Sequence, residues 1–127
     1  MKKLTLFIWL LFIFIMSSYN SEISSKLSMG IVDLLNLSTR YHIYIRKLAH
    51  AFEFFILGIL IFRITKGNIF SIIIPVVFAF LDEIHQFYVP GRTMNIMDVL
   101  IDSTGVISAY FLYKMYSFVY RKEIITS

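Results

Sequence analysis

The sequence predicts an all-α integral membrane protein, a bundle of four transmembrane helices that forms a single domain over residues 1–127. Hydrophobic residues make up 58% of the 127 residues and the mean hydropathy is +0.76, which is too apolar for a soluble domain of ordinary composition. The apolar residues fall into four main runs separated by shorter, more polar segments. The lipid bilayer is therefore the first partner that we expect for this chain.

Charge and cysteine content exclude several classes of function. The 12 basic residues exceed the 8 acidic ones, which gives a formal charge of +4, but many of them stand near the ends of apolar runs, where they govern topology. No motif for reading bases is visible, so we expect no nucleic-acid partner. The absence of cysteine rules out a disulfide framework, a thiolate metal site and a cysteine nucleophile.

The first two predicted elements lie before residue 36. The basic start Met1-Lys2-Lys3 and the apolar run after it have the form of a secretory signal peptide, but the residues after Met16 lack a small-x-small cleavage site. We therefore favour an uncleaved first span over about residues 4–19. Apolar residues then recur at helical spacing among charged ones, which predicts an amphipathic helix on the outer surface between the first and second spans. These residues are Ile23, Leu27, Ile31, Leu34 and Leu35.

Three longer apolar runs predict the remaining spans, over about residues 45–64, 69–89 and 96–119. The first of these would be roughly 30 Å long as a helix, which matches the thickness of a bilayer core. We expect Pro75 to kink the third span, because proline removes a helical hydrogen bond. In the fourth span, Gly105 and Ala109 form a small-residue seam that favours close packing against another helix.

Ionisable side chains occur inside these three spans, where burial in hydrocarbon is costly and a charged group is a functional candidate by default. The turn at Pro90-Gly91 should let Arg92 fold back over the end of the third span. Because the spans alternate in direction, all of these groups should meet at one membrane face. On the helices the ionisable groups are Arg46, His50 and Glu53, then Asp82, Glu83 and His85, then Asp98 and Asp102, and the neutral amide of Gln86 lies with them.

The distribution of basic residues predicts the orientation in the membrane. Because Arg46, Lys47 and Arg92 have the character of site components, we place both termini in the cytoplasm and the charged face on the extracytoplasmic side. The basic residues on the side of the termini are Lys2, Lys3, Arg63, Lys66, Arg121 and Lys122, against Lys26, Arg40, Arg46, Lys47 and Arg92 on the other side.

Several short motifs follow one another between residues 46 and 105. They are Arg46-Lys47-x-x-His50-x-x-Glu53, Leu57-Gly58, Asp82-Glu83-x-x-Gln86, Pro90-Gly91-Arg92 and Asp98-x-x-x-Asp102-x-x-Gly105. Together they resemble the VanZ-like family. The chain departs from the usual family pattern at Ala51, Phe54 and Asp102, the last of which stands where asparagine is usual. The resemblance implies a multi-pass bacterial cell-membrane protein, similar to accessory factors of glycopeptide resistance that lower susceptibility to teicoplanin.

The chemistry of the charged face leaves binding and catalysis both open. As a binding protein, the chain would hold the phosphate or carboxylate of a lipid-linked cell-wall precursor or another envelope component, because arginine presents a planar fork suited to such anions. The predicted ligand-binding residues are Arg46, Lys47, Glu83, Gln86, Arg92 and Asp102. As an enzyme acting on the same headgroup, the chain would use general acids and bases. The candidates for that role are His50, Glu53, Asp82 and Asp98.

Other hypotheses use the same side chains. A divalent metal is one, because three pairs of ligands each share one helical face. These pairs are His50-x-x-Glu53, Asp82-x-x-His85 and Asp98-x-x-x-Asp102. The groups could also form a buried ion cluster that only fixes helix packing, or a path for transport or proton relay.

Overall fold

A computed structural model describes the backbone of residues 2–126 and the side chains of residues 2–120. Every regular element in that part of the chain is helical, so the predicted all-α class is confirmed. The side chains of Arg121 and Lys122, two of the predicted topology signals, lie outside the described residues. The α-helices are α1 (Lys2–Ser17), α2 (Ser21–Leu34), α3 (His42–Thr65), α4 (Ile73–Phe87) and α5 (Ile96–Thr126).

The described chain has three segments that are long and apolar enough to cross a bilayer, Thr39–Thr65, Ile69–Phe87 and Ile96–Tyr120. They correspond to the second, third and fourth predicted spans. The first predicted span corresponds to α1, whose 16 residues are fewer than the roughly 20 that a crossing helix needs, so its crossing of the bilayer stays a prediction. Helices α1 and α2 meet at an angle of 103°, and a fourth crossing exists only if this bent pair forms one broken span.

The packing of α3 against α5 depends on the small-residue seam. A Cβ atom added to Gly105 would lie 2.0 Å from the carbonyl oxygen of Ala51, so only glycine allows the two backbones to come this close. Further along the seam, Ala109 is fully buried, and a Cβ atom on Gly58 would lie 3.0 Å from it. The partner of the predicted seam is therefore α3.

Helix α1 is joined to the bundle by two polar contacts. The indole N–H of Trp9 donates to the backbone carbonyl of Glu53 at 3.0 Å. At the end of α1, the hydroxyl of Ser18 lies 3.0 Å from Nε2 of His85 on α4. These contacts position α1 beside α3 and α4.

The local sequence explains where α3 ends and α4 begins. Lys66 and Gly67 adopt the left-handed conformation, with φ of +55° and +67°, and this terminates α3. Pro75 is the third residue of α4, where its missing N–H interrupts no helical hydrogen bond. A short 3-10 turn, Ile69–Ile72, directly precedes α4, and the kink that we expect at Pro75 stays a prediction.

Helix α2 packs against α3 through its more polar face. Its buried residues are Ser28 and Val32, whereas Ile23, Leu27 and Ile31 of the predicted apolar stripe are 42%, 50% and 43% exposed. Asn20 caps the start of the helix, where its side chain accepts the N–H of Ile23 at 2.9 Å. The apolar stripe therefore faces away from the bundle, and its position at the membrane surface stays a prediction.

Candidate functional site

A polar cavity of about 250 Å³ lies between α3, α5 and the loop that joins α4 to α5. Arg46 lines it near the start of α3, whereas Arg63 stands near the other end of that helix and lines a small surface cavity with Lys2. The cavity is therefore at the bundle end remote from the start of α1. Eight of the ten predicted site residues line it: Arg46, Lys47, His50, Glu83, Gln86, Arg92, Asp98 and Asp102.

The turn after α4 positions Arg92. Gly91 has a φ of +76° and the N–H of Arg92 closes a hydrogen-bonded turn, which is the arrangement of a type II turn centred on Pro90 and Gly91. Arg92 thereby returns over the end of α4, as the sequence predicts. Its Nη1 donates to Oε1 of Gln86 at 2.5 Å, and its Nη2 donates to the hydroxyl of Ser24 at 3.0 Å. Two uncharged partners therefore hold the guanidinium.

Gln86 connects Arg92 to the carboxylate of Asp82. The amide nitrogen of Gln86 donates to Oδ2 of Asp82 at 2.7 Å, while its amide oxygen accepts from Arg92. Asp82 is 5% exposed and does not line the cavity, so it acts through Gln86. The opposite charges of Arg92 and Asp82 are separated by one neutral side chain, which both of them orient.

Two further contacts tie α5 to its neighbours. The ammonium of Lys47 on α3 forms an ion pair with Oδ1 of Asp98 in the first turn of α5. On α4, Oε1 of Glu83 accepts the backbone N–H of Asn95 at 2.7 Å, just before α5 begins. These contacts engage two of the three cavity carboxylates.

Two other acidic side chains, Asp102 in the cavity and Glu53 on α3, each have an oxygen atom without a hydrogen-bond partner in the described chain. Oδ1 of Asp102 is buried and accepts no hydrogen bond from any described residue. Glu53 is 9% exposed, and its Oε2 lies 3.5 Å from Nδ1 of His50, although the geometry gives neither atom a hydrogen bond within the described chain. Glu53 lines a second, smaller cavity, which adjoins the first at His50.

The two arginines of the cavity have no acidic partner. Neither Arg46 nor Arg92 lies within ion-pair distance of a carboxylate in the described chain, and the buried Nε of Arg92 has no hydrogen-bond partner there. Burial lowers the pKa of the Arg92 guanidinium, and the charge of Arg46 lowers it further, while Asp82 and Glu83 act in the opposite direction. The two guanidiniums are therefore close enough to repel each other.

Comparison with protein families gives the identity of the chain. A family model described as VanZ/LLP1 matches residues 3–119. The chain belongs to the VanZ-like family. The match extends from α1 to most of α5, well beyond the motifs between residues 46 and 105. Comparisons with curated proteins and with solved structures gave no match.

His85 lies apart from the polar cavity. Its ring lies at a tilt of 30° against Phe14 with the ring centroids 4.6 Å apart, and its Nε2 faces Ser18, so the Asp82-x-x-His85 pair does not converge on the cavity. Among residues 2–120, no three His, Asp or Glu side chains are placed to hold one metal ion. The divalent-metal hypothesis stays a prediction, and it would require carboxylates to move toward one another.

Two polar residues of the VanZ-like site were missed by the sequence reasoning. The hydroxyl of Ser24 accepts from Arg92, and the backbone N–H of Asn95 donates to Glu83. The position of Asn95 could have been found, because an asparagine ahead of an apolar run is a helix-capping signal, and its Oδ1 accepts the N–H of Met97 at 3.1 Å. Ser24 carries no such signal, since its role depends on the bend that returns α2 over the site.

Proposed function

We propose that this VanZ-like protein binds the anionic group of a membrane-linked cell-envelope component in its polar cavity. The observation that carries the proposal is the pair Arg46 and Arg92, two guanidiniums that share a cavity and have no carboxylate partner among the described residues. Lys47, Glu83, Gln86 and Asp102 complete the cavity around them. The cavity faces the extracytoplasmic side in this proposal, with both termini in the cytoplasm.

The acidic and the basic side chains of the cavity differ in whether they can lose their charge. A buried carboxyl group can become neutral by taking up a proton, whereas a guanidinium keeps its charge at any physiological pH. The positive charges of Arg46 and Arg92 therefore need compensation by something other than deprotonation. A phosphate or carboxylate supplies this compensation and matches the planar fork of each arginine.

The lipid that remains bound through purification tests this function. An anionic lipid or lipid-linked precursor should stay with the parent protein, as identified by mass spectrometry, and should be lost from Arg46→Gln and Arg92→Gln. Arg63→Gln is the matched control, because it removes the same charge from the exposed far end of α3. The same lipids at the same ratio in all four proteins would overturn the proposal.

The cellular consequence is an altered response to glycopeptides. We propose that ligand binding at this site lowers susceptibility to teicoplanin, as the family resemblance implies. Cells that express the parent or Arg63→Gln should then tolerate more teicoplanin than cells that express Arg92→Gln at an equal level. Equal inhibitory concentrations of teicoplanin for the parent and Arg92→Gln would show that the cavity has no role in resistance.

A second candidate function is catalysis on the bound headgroup. Two carboxyl groups favour it, because Oδ1 of Asp102 and Oε2 of Glu53 are buried without a hydrogen-bond donor in the described chain. Acids and bases in active sites are often left in such costly surroundings. His50 and Asp98 line the polar cavity and would be further catalytic candidates, whereas Asp82 would act through Gln86. Release of a modified headgroup by the parent, but not by Glu53→Gln, would distinguish this function from binding alone.

A further inference from the structure

A second cavity adjoins the polar one on the side of α2. It measures about 120 Å³ and lies between the end of α1, α2 and α3. Three residues line both cavities and form the boundary between them: Arg46, His50 and Arg92. A molecule whose charged end is held at this boundary could therefore extend from one cavity into the other.

The lining of this second cavity, called the cleft below, is more apolar than that of the first. Beyond Arg46, His50 and Arg92, the polar side chains that line it are Tyr19, Ser24, Ser28 and Glu53, and the others are hydrocarbon. These include Met16, Leu27, Ile31, Ile45 and Ala49. Apolar lining beside a cationic boundary is complementary to an amphiphile, since it gains by burying hydrocarbon as well as by pairing charge.

The outer rim of the cleft reaches the surface of the bundle. Leu27 and Ile31 border the cleft and are 50% and 43% exposed, and Ala49 on α3 is also exposed. The first two belong to the apolar stripe of α2, which faces away from the bundle. On a membrane protein such a stripe is suited to contact lipid, so the cleft would open toward hydrocarbon.

We infer that the cleft between α2 and α3 holds the first part of a hydrocarbon chain whose anionic headgroup lies between Arg46 and Arg92. The ligand class is then a phosphate- or carboxylate-headed lipid, because a soluble anion would leave the cleft unused. At about 120 Å³ the cleft accommodates only the segment of chain next to the headgroup. The remaining chain would pass between α2 and α3 into the bilayer. This inference rests on the proposed anion-binding function and names its ligand class.

A series of alkyl phosphates tests the inference. Full-length protein in phosphatidylcholine nanodiscs is titrated with inorganic phosphate, methyl phosphate, butyl phosphate and octyl phosphate, and the dissociation constants are compared. The affinity should rise by up to about fourfold for each methylene that the cleft buries, and should level off once the cleft is full. The readout is the ratio of octyl to methyl phosphate affinity in one protein sample.

Variants that fill the cleft provide the decisive comparison. Leu27→Trp and Ala49→Phe place large side chains at its rim and should bring the ratio close to one. Leu34→Trp is the matched control on the same helix, since Leu34 is 82% exposed and lies outside the cleft. It should keep the ratio of the parent. Methyl phosphate binding in each sample reports whether the polar cavity is intact.

Three results would overturn the inference, and they can be told apart. Equal affinity of the parent for methyl, butyl and octyl phosphate would leave anion binding in place and remove the lipid chain. A steep ratio that survives in both Leu27→Trp and Ala49→Phe would mean that the chain lies elsewhere. Failure of the parent to bind any member of the series would remove the anion site itself, and the inference with it.

Discussion

At the scale of single residues, the site holds its charges with neutral groups. Arg92 is fixed by Gln86 and Ser24, and Glu83 is fixed by a backbone N–H. Lys47 and Asp98 are the exception, because they form an ion pair within the cavity. A cluster that served only to stabilise helix packing would be expected to pair its buried charges directly. Here neutral groups orient the Arg92 guanidinium, and neither Arg46 nor Arg92 forms an ion pair with a carboxylate of the described chain. This is the basis for the proposal that their charge is met by a ligand.

Replacing Asp102 should affect both the stability of the protein and its affinity for phosphate. Its buried Oδ1 has no donor in the described chain, and its charge would oppose an anion in the cavity that it lines. We expect Asp102→Asn to keep the shape, to leave the melting temperature equal to or above that of the parent, and to tighten phosphate binding. Melting and phosphate titration of the two proteins in one detergent test this. Weaker phosphate binding by Asp102→Asn would show that the carboxylate takes part in holding the ligand.

At the scale of helices, the close contact of α3 with α5 sets the geometry of the site. Lys47 is on α3 and Asp98 is on α5, so their pairing requires the two helices to keep a fixed separation. Gly105, two turns beyond Asp98, allows that separation because its missing side chain leaves room for the carbonyl of Ala51. A change at the seam should therefore reach the cavity through the backbone.

Two glycine substitutions with opposite expected outcomes test the role of this seam. In Gly105→Ala the new Cβ atom would meet backbone that cannot yield, and we expect a loss of about 1 to 3 kcal/mol in stability. In Gly30→Ala the new Cβ atom has nothing within 4 Å, so the helical preference of alanine should stabilise α2 by up to about 1 kcal/mol. Denaturation of both variants in detergent checks these directions. An unchanged Gly105→Ala protein would mean that α3 and α5 can separate without cost.

Helical periodicity predicted the elements better than it predicted their orientation. The polar residues on α3, α4 and α5 could be predicted as a site from the helical spacing of 3.6 residues and from the cost of placing charge in hydrocarbon. The structure brings most of these residues to one cavity. The apolar stripe of α2 was also identified from spacing. Its outward direction was not, because it depends on the 103° bend after α1. Nothing local in the sequence specifies that angle.

At the scale of the whole molecule, charge is distributed unequally between the two ends of the bundle. The end with the cavity carries most of the ionisable groups within the spans, whereas Arg63 and Lys66 at the other end are exposed beside the α3–α4 turn. Exposed basic residues at a helix end are typical of a cytoplasmic boundary, but Lys26 and Arg40 are exposed at the cavity end as well. The extracytoplasmic position of the cavity therefore stays a prediction.

Cysteine labelling in intact cells tests that orientation without background, because the chain contains no cysteine. Thr93 and Asn68 are both exposed and stand at opposite ends of the bundle. An impermeant thiol reagent should modify Thr93→Cys and spare Asn68→Cys until the cells are opened. Modification of Asn68→Cys alone would invert the topology and place the cavity in the cytoplasm.

The central claim, that Arg46 and Arg92 hold one anion between them, is tested most directly by a double-mutant cycle on phosphate affinity. Dissociation constants are measured for the parent, Arg46→Gln, Arg92→Gln and the double variant at one ionic strength. Each single variant should bind phosphate about tenfold more weakly or worse, since hydrogen bonds to charged groups contribute about 1.5 to 3 kcal/mol. The double variant should lose less than the sum of the two losses, because the arginines share the ligand. Phosphate affinity equal to the parent's in both single variants, or losses that simply add, would contradict a shared anion site.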